Sequence, residues 1–377
     1  MDFTFTEEQQ AAIEAAQAVF SAVTPDGVPS PALTHGPVAD DFDRPLWRTL
    51  ADADLLGLPL APEHGGAGLN PIALCLVLRE SAKVLARVPL LESYATAHTL
   101  QKYAPDALRA DVLPQIATGN LVITAAASGR TGHDPAELAA TARQDGTTWT
   151  LDGTHTAIPW ARAADRILLP AHTPDGRTVL ALVPQNHPGL TLNDQTSTNG
   201  EHYAEAHLDS VRVDARDTLT DPAAWDTLRD LLTTGTCALA LGLGERVLAM
   251  TSDYTGKREQ FGFPLATFQA VAVQAADRFI DLRAMEATLW QAAWRLTTGA
   301  AGPLPPAGDI AVAKIWASEG VRRIVQTAQH LHGGFGADTD YPLHRYHAWA
   351  KQLELSLGPA AAHEEALGEL LAAHPLS

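Results

Sequence analysis

Two adjacent glycines, Gly333 and Gly334, mark a place in the chain where a ligand could approach the backbone closely. The surrounding stretch, 326–359, begins with helical spacing of apolar residues, breaks at the glycine pair and resumes as a helix after Tyr341-Pro342. Glycine at a helix end permits positive φ angles and close approach of another backbone or of a ligand. We therefore expect part of the ligand of this protein to contact that break.

Histidine and cysteine, the common metal ligands, do not form a metal-binding pattern in this sequence. His330 and His332 are two residues apart, so a helix places them on different faces, and no cluster of Cys, His or Asp accompanies them. A zinc site needs three or four converging ligands. The two cysteines, Cys75 and Cys237, lie in apolar helical surroundings, which indicates buried thiols in a reducing compartment. We expect no metal site.

The composition is typical of a soluble protein with a large core. Of the 377 residues, 46% are apolar and 19% are charged, so extensive disorder is not expected. The formal net charge of −18 argues against a general affinity for nucleic acid or anionic membranes. We see no basic segment followed by an apolar run, and no apolar stretch of about 18 residues. We expect a cytoplasmic protein that binds neither nucleic acid nor membrane.

The elements that must position these residues fall into three parts, an α+β arrangement. Residues 1–119 have the spacing of a helical domain. Residues 120–214 contain short runs rich in Val, Ile, Thr and Leu, separated by turn signals such as Asp145-Gly146, which predicts a small antiparallel β-domain. Residues 222–377 are helical again and predict a bundle. Its long helices are expected near 225–257, 268–298 and 308–332.

Three motifs, in this order, resemble the signatures of the acyl-CoA dehydrogenase family. The first is the glycine turn EHGGAG at 63–68, which follows LGLP. The second is REQFG at 258–262, followed by Pro264 and by FQ at 268–269. The third is HLHGGFG at 330–336, followed by Tyr341-Pro342 and Arg345. The resemblance extends over nearly the whole chain.

This resemblance implies an N-terminal helical domain, a middle β-domain and a C-terminal four-helix bundle. It also implies FAD as the cofactor, bound between the β-domain and the bundle, with its ADP end held by a neighbouring subunit. By position, Arg258 pairs with the pyrophosphate, a role suited to a planar and always charged guanidinium. Phe261 and Gln269 contact the adenine side of FAD. The remaining implied cofactor contacts are His330, where many relatives have glutamine, and the backbone at Gly333 and Gly334.

The catalytic base is the position at which this chain departs from the family pattern. In the family, a carboxylate removes the α-proton of an acyl thioester while the β-hydrogen leaves as hydride to the flavin. Most relatives have this glutamate in a Tyr-Glu-Gly-Thr segment, and here Leu357 occupies its position. A minority have it on the first bundle helix, and here Leu232 occupies that position. Neither leucine can accept a proton.

Asp230, two residues from Leu232, is the candidate for a relocated base. Two residues on a helix correspond to a rotation of about 200°, so the register would have to shift. The alternative role of Asp230 is a charge in the first helical turn that interacts favourably with the helix dipole. Glu245, further along the same helix, and Glu354, near the replaced motif, are weaker candidates.

The segments that contact the flavin ring in relatives also differ here. Relatives usually have Thr-Glu-Pro-x-x-Gly-Ser-Asp where this chain has ASGRTGHD at 127–134, and Trp-Ile-Thr where it has Ala157-Ile158-Pro159. Pro159 lacks a backbone donor, and Ala157 removes an aromatic wall. The ADP-side signature is therefore kept, whereas the ring side and the base are altered.

Three hypotheses follow from this pattern. Some bacterial members of the family, including those that act on steroid side chains, are α2β2 assemblies of two related chains, and segment 340–352 is similar to that group. The first hypothesis is therefore a subunit that needs a partner chain. The second is a homo-oligomeric dehydrogenase, a dimer or tetramer, with Asp230 as base. The third is a non-redox protein that binds a thioester. The substrate is a thioester of coenzyme A or of an acyl carrier protein.

Overall fold

The computed structural model describes residues 4–128 and 140–375. Five helices precede the first strand, and local residue chemistry explains where two of them start. Thr6 and Gln9 form a reciprocal capping box at the start of α1, and Asn70 caps α3, in which Pro71 takes the first helical position. The five helices are α1 Glu7–Phe20, α2 Arg44–Asp52, α3 Pro71–Lys83, α4 Leu90–Tyr103 and α5 Asp106–Ala117.

A mixed sheet follows, with strand order β6-β7-β3-β2-β4-β5-β8 and with β1 paired to β4. Its strands are β1 Ile123–Ala125, β2 Ala140–Asp145, β3 Thr148–Pro159, β4 Arg166–His172, β5 Thr178–Pro184, β6 Leu190–Thr196, β7 His202–Asp214 and β8 Thr218–Leu219. Most neighbours are antiparallel, as the turn signals predicted. The sheet is nevertheless mixed, because β4 runs parallel to β1 and β2, which the prediction of an antiparallel domain did not include. These pairs are far apart in sequence, and parallel neighbours need such long connections.

The C-terminal part contains three long helices and two shorter ones. They are α6 Ala223–Lys257, α7 Gln269–Thr298, α8 Pro306–His332, α9 Leu343–Leu355 and α10 Ala360–Ala373, and a hairpin of β9 Glu259–Gln260 and β10 Phe263–Pro264 joins α6 to α7. The three long helices lie where the apolar periodicity predicted them. By length and composition α6 could cross a membrane, but 78% of its most apolar window is buried inside the protein. We interpret α6 as the core helix of the bundle.

The hydrophobic core connects the three parts. One buried cluster joins α1, α2 and α3 to the bundle helices, and a second joins α4, α5 and β1 to the start of α6 and to Leu357. A third lies within the sheet. The surface between the parts is therefore closely packed, and any pocket there is built by residues from all three.

Candidate cofactor and substrate site

Arg258 lies at the end of α6, where the helix gives way to the hairpin. Its backbone N–H donates to the carbonyl of Tyr254 at 2.8 Å and so closes the last turn. Phe261 and Gly262 form the tip of the hairpin with φ angles of 54° and 81°. The Arg258 side chain is exposed and forms no ion pair with any residue that the structure describes. An unpaired guanidinium at the surface is free to pair with a phosphate.

The aromatic and amide residues of the same motif are also open to solvent. Phe261 is 89% exposed and touches Phe268 edge-on, with ring centroids 6.4 Å apart. Gln269 is the first residue of α7 and is exposed. A phenylalanine with this much surface in water has no structural role in the monomer, so it is available to a ligand or to another chain.

The glycine pair at the end of α8 lies at the same end of the bundle. Gly333 has a φ of 61°, and a side chain at either glycine would meet nothing within 4 Å, so the backbone is open to a ligand. Tyr254, one turn before Arg258, stacks on His332 with centroids 4.3 Å apart and on Phe335 at 5.5 Å. The structure thus brings together the two motifs that the sequence assigned to the ADP side of FAD. His330 is exposed beside them.

The segment expected beside the flavin ring has its backbone donors engaged within the protein. The Ala157 N–H donates to Gln195 Oε1 at 2.9 Å, and the Trp160 N–H donates to the carbonyl of His202 at 3.2 Å. Pro159 has no N–H, and its carbonyl accepts from Thr124 Oγ1 at 2.7 Å. The ADP-side residues therefore fit FAD, whereas this segment does not offer these donors to a flavin ring. Residues 129–134 of the other ring-side segment lie outside the described residues.

A pocket of about 200 Å³ lies where the helical N-terminal part, the sheet and the bundle meet. Both leucines at the family's base positions line it: Leu232 from α6, and Leu357, which has a φ of 59°, from the turn after α9. Most of the wall is apolar. The side chains on the wall that carry polar atoms include Glu92, Glu201, Tyr203, Gln352, Ser356 and the indoles of Trp160 and Trp349.

Asp230 is not among the residues that line this pocket. Burial raises its pKa to about 6, with Arg229 opposing the shift and Asp226 adding to it. Leu232 faces the pocket, and a rotation of about 200° turns Asp230 away from that wall. The other two candidates do not line the pocket either. Glu245 pairs with Arg79 and Lys83, and Glu354 pairs with Lys351. The structure brings none of the three carboxylates to the two leucines.

Glu92, in the first turn of α4, is a carboxylate on the pocket wall that our sequence analysis missed. Burial raises its pKa to about 7, and its own backbone amide opposes the shift. Its side chain has no salt-bridge partner within the described ranges. The one signal in the sequence is a carboxylate within the otherwise uncharged run LLESYATAHTL at 90–100. That signal is weak, because a glutamate in a first helical turn is ordinary.

Glu201, the second carboxylate on the wall, is paired with a buried arginine. Arg87 Nε and Nη2 donate to its two carboxylate oxygens at 2.5 and 2.7 Å, and Nη2 also donates to the carbonyl of Asp41 at 3.0 Å. The pair joins the chain after α3 to the start of β7. Burial nevertheless raises the pKa of Glu201, with Arg87 acting against it. Over residues 4–128 and 140–375, no group of His, Cys, Asp or Glu is arranged to hold a metal ion.

Comparison with known proteins agrees with this geometry. The N-terminal domain model of the acyl-CoA dehydrogenase family matches residues 6–120, and the C-terminal domain model matches residues 233–371. The chain is 35% identical over 382 residues to acyl-CoA dehydrogenase FadE27 of Mycobacterium tuberculosis, with 100% of each chain covered. It is 30% identical over 323 residues to acyl-CoA dehydrogenase FadE28 of the same organism, with 85% of this chain and 91% of that protein covered.

Two solved structures with similar folds each have a name made of two parts. A chain of the ChsE4-ChsE5 complex from Mycobacterium tuberculosis matches with a TM-score of 0.90 and 33% identity, covering 100% of both chains. A chain of the Tcur3481-Tcur3483 steroid ACAD matches with a TM-score of 0.88 and 35% identity, covering 97% of this chain and 98% of that one. The similarity covers all of this chain in the first case and 97% of it in the second.

Proposed function

The chain belongs to the acyl-CoA dehydrogenase family, and from this we propose that it is one subunit of an FAD-dependent assembly that desaturates an acyl thioester. FAD is the cofactor, and when bound it accepts the hydride that leaves the β-carbon. We propose that this chain completes the FAD site of a second, related chain by holding the ADP end. The assembly is soluble, and we place it in the cytoplasm.

The observation that supports a partner chain is the contrast between the two ends of the cofactor site. On the ADP side, the Arg258 side chain is exposed and forms no ion pair with a described residue, and a side chain at Gly333 or Gly334 would meet nothing within 4 Å. On the ring side, Leu232 and Leu357 occupy the base positions, and neighbouring backbone donors are already used. A chain that keeps the phosphate contacts but lacks the base is suited to complete a site whose catalytic carboxylate belongs to another chain.

The first three turns of α7 provide a surface for such a partner. No residue from 269 to 280 is buried, and Val273, Phe279 and Ile280 are between 52% and 63% exposed. Phe261 and Phe263 continue this apolar surface on the adjoining hairpin. Several large apolar side chains exposed on neighbouring elements favour an interface, because a monomer gains nothing by leaving them in water. This surface adjoins Arg258, so an interface there also places a second chain's FAD near the guanidinium.

The two similar structures support finer proposals about assembly and substrate. One of those structures is a complex of two chains, and another is named a steroid ACAD. We propose an α2β2 tetramer with a coenzyme A thioester of a bulky, ring-containing acid as substrate. The pocket of this chain does not take the reacting carbons, since no carboxylate stands at either base position.

Flavin content and native mass test the proposal together. The chain purified alone is expected to lack stoichiometric FAD, and co-expression with a related chain that carries the base glutamate is expected to give a flavin-bound complex with dehydrogenase activity. A self-sufficient homotetramer, replete with FAD and active on an acyl-CoA, would overturn the partner-subunit proposal. A protein without a flavin absorbance band in both forms would support the thioester-binding alternative instead.

A further inference from the structure

The pocket between the three parts of the chain is the size of a single ring. An engineered apolar cavity of about 150 Å³ binds benzene, and this pocket measures about 200 Å³. It therefore has room for a group somewhat larger than benzene.

Glu92 is a charged group on the pocket wall that has no side-chain partner among the described residues. Glu201 is neutralised by Arg87, whereas Glu92 has no hydrogen bond or ion pair within the described ranges except to its own backbone amide. A carboxylate without a partner in a mostly apolar wall costs free energy unless it takes up a proton or meets a donor. A ligand that donates a hydrogen bond would remove that cost.

Tyr203 supplies the complementary group beside Glu92. Its hydroxyl oxygen accepts from Gln352 Nε2 at 3.0 Å, which leaves its own proton free to donate. Both side chains line the pocket, and the charge on Glu92 adds to burial in raising the pKa of Tyr203. No hydrogen bond joins them directly. Between a carboxylate that accepts and a phenol that donates, a ligand hydroxyl satisfies both.

We propose that this pocket is a binding site for a neutral, ring-sized apolar group that carries a hydroxyl, recognised by Glu92 and Tyr203. A carboxylate ligand only accepts hydrogen bonds, so Glu92 would repel it. An ammonium ligand only donates and must also lose its hydration, which is costly in a mostly apolar pocket. The inference rests on the proposed function in one respect, namely that this chain's pocket is not occupied by a flavin ring of its own.

Three fluorinated probes of equal ring size test the assignment: para-fluorophenol, fluorobenzene and para-fluorobenzylamine. Fluorine NMR of the purified chain, and of the complex with its partner subunit, gives a dissociation constant for each at about pH 8, where Glu92 is mainly ionised. We expect para-fluorophenol to bind about tenfold more tightly than fluorobenzene, the effect of one hydrogen bond to a charged acceptor. Equal affinities would overturn the proposal, and so would tighter binding of the amine.

Two variants link the preference to the residues named. In Glu92→Leu the preference for the phenol should fall well below tenfold, because only the hydrogen bond from Tyr203 remains, while Glu365→Leu, which removes an exposed carboxylate on α10, should keep the tenfold preference. In Tyr203→Phe part of the preference should remain, since Glu92 still accepts. An unchanged preference in Glu92→Leu would overturn the assignment of that residue.

A further arm separates two sources of such a ligand. If the ring belongs to an acyl group, para-hydroxyphenylacetyl-CoA should displace para-fluorophenol more effectively than para-cresol does. If the ligand is a free small molecule, para-cresol should compete at least as well. Failure of the partner-subunit proposal shows in the flavin spectrum, whereas failure of this inference shows in probe binding, so the two are distinguishable.

Discussion

The Arg87–Glu201 pair permits a quantitative test of how the N-terminal part is attached to the sheet. Arg87 is 9% exposed and Glu201 is 2% exposed, and two hydrogen bonds of 2.5 and 2.7 Å join them. Replacing Arg87 by Met removes the positive charge and leaves the carboxylate buried without compensation. The removal of one member of a buried pair typically costs about 3–5 kcal/mol in the free energy of unfolding.

The sign of the pH dependence follows from the raised pKa of Glu201. Because burial outweighs the effect of Arg87, the folded protein holds the Glu201 proton more tightly than the unfolded chain does. The stability contributed by the protonated carboxyl is present below the ordinary glutamate pKa and is lost as the pH rises through the folded pKa. Arg87→Met removes the interaction that lowers this pKa, so its destabilisation should shrink as the pH falls from about 7 to about 5.

Urea denaturation of wild type, both single variants and the double variant Arg87→Met/Glu201→Leu measures these terms. The double variant should recover most of the stability lost in Arg87→Met, because apolar replacement of a whole buried pair is often neutral. A loss below about 1 kcal/mol in Arg87→Met at neutral pH would refute the burial argument. A double variant as unstable as Arg87→Met would show that the ion pair itself stabilises the contact between the parts, and that the loss in Arg87→Met does not come only from an uncompensated buried carboxylate.

Two further predictions concern single side chains. Arg258→Ala should weaken FAD binding by the co-expressed complex about 10–100-fold, the value of a charge-assisted contact. The control Arg216→Ala, which removes an exposed arginine, should leave FAD binding unchanged. Equal flavin titrations of the two variants would contradict the role of Arg258. Lys314 is fully buried and its Nζ donates to the carbonyls of Leu353 and Glu354 at 3.3 and 3.1 Å, so Lys314→Met should cost about 1–3 kcal/mol. Burial lowers the pKa of Lys314 to about 8. Because the unfolded chain keeps this proton to a higher pH, wild-type stability should rise between about pH 8 and pH 10. Lys314→Met should lose this rise, and an unchanged pH profile in the variant would contradict the prediction.

Much of the architecture could be predicted from the sequence because its signals are local. The periodicity of apolar residues located α6, α7 and α8, and the turn signals located most strands. The parallel pairing of β1 with β4 could not be predicted, since strand neighbours separated by a long connection carry no local signal. The same limit applies to the pocket, whose wall combines residues from α4, β7, α6 and the turn after α9.

By itself, the sequence determined the family resemblance, the ADP-side motif around Arg258 and the absence of a carboxylate at Leu232 and Leu357. Motifs and missing side chains are properties of residue identity, so they need no coordinates. Only the tertiary structure decided which carboxylates face the pocket. A step of two residues turns a helical side chain to a different face, so Asp230 is directed away from the wall that Leu232 lines, while Glu92 is brought to it by the packing of α4.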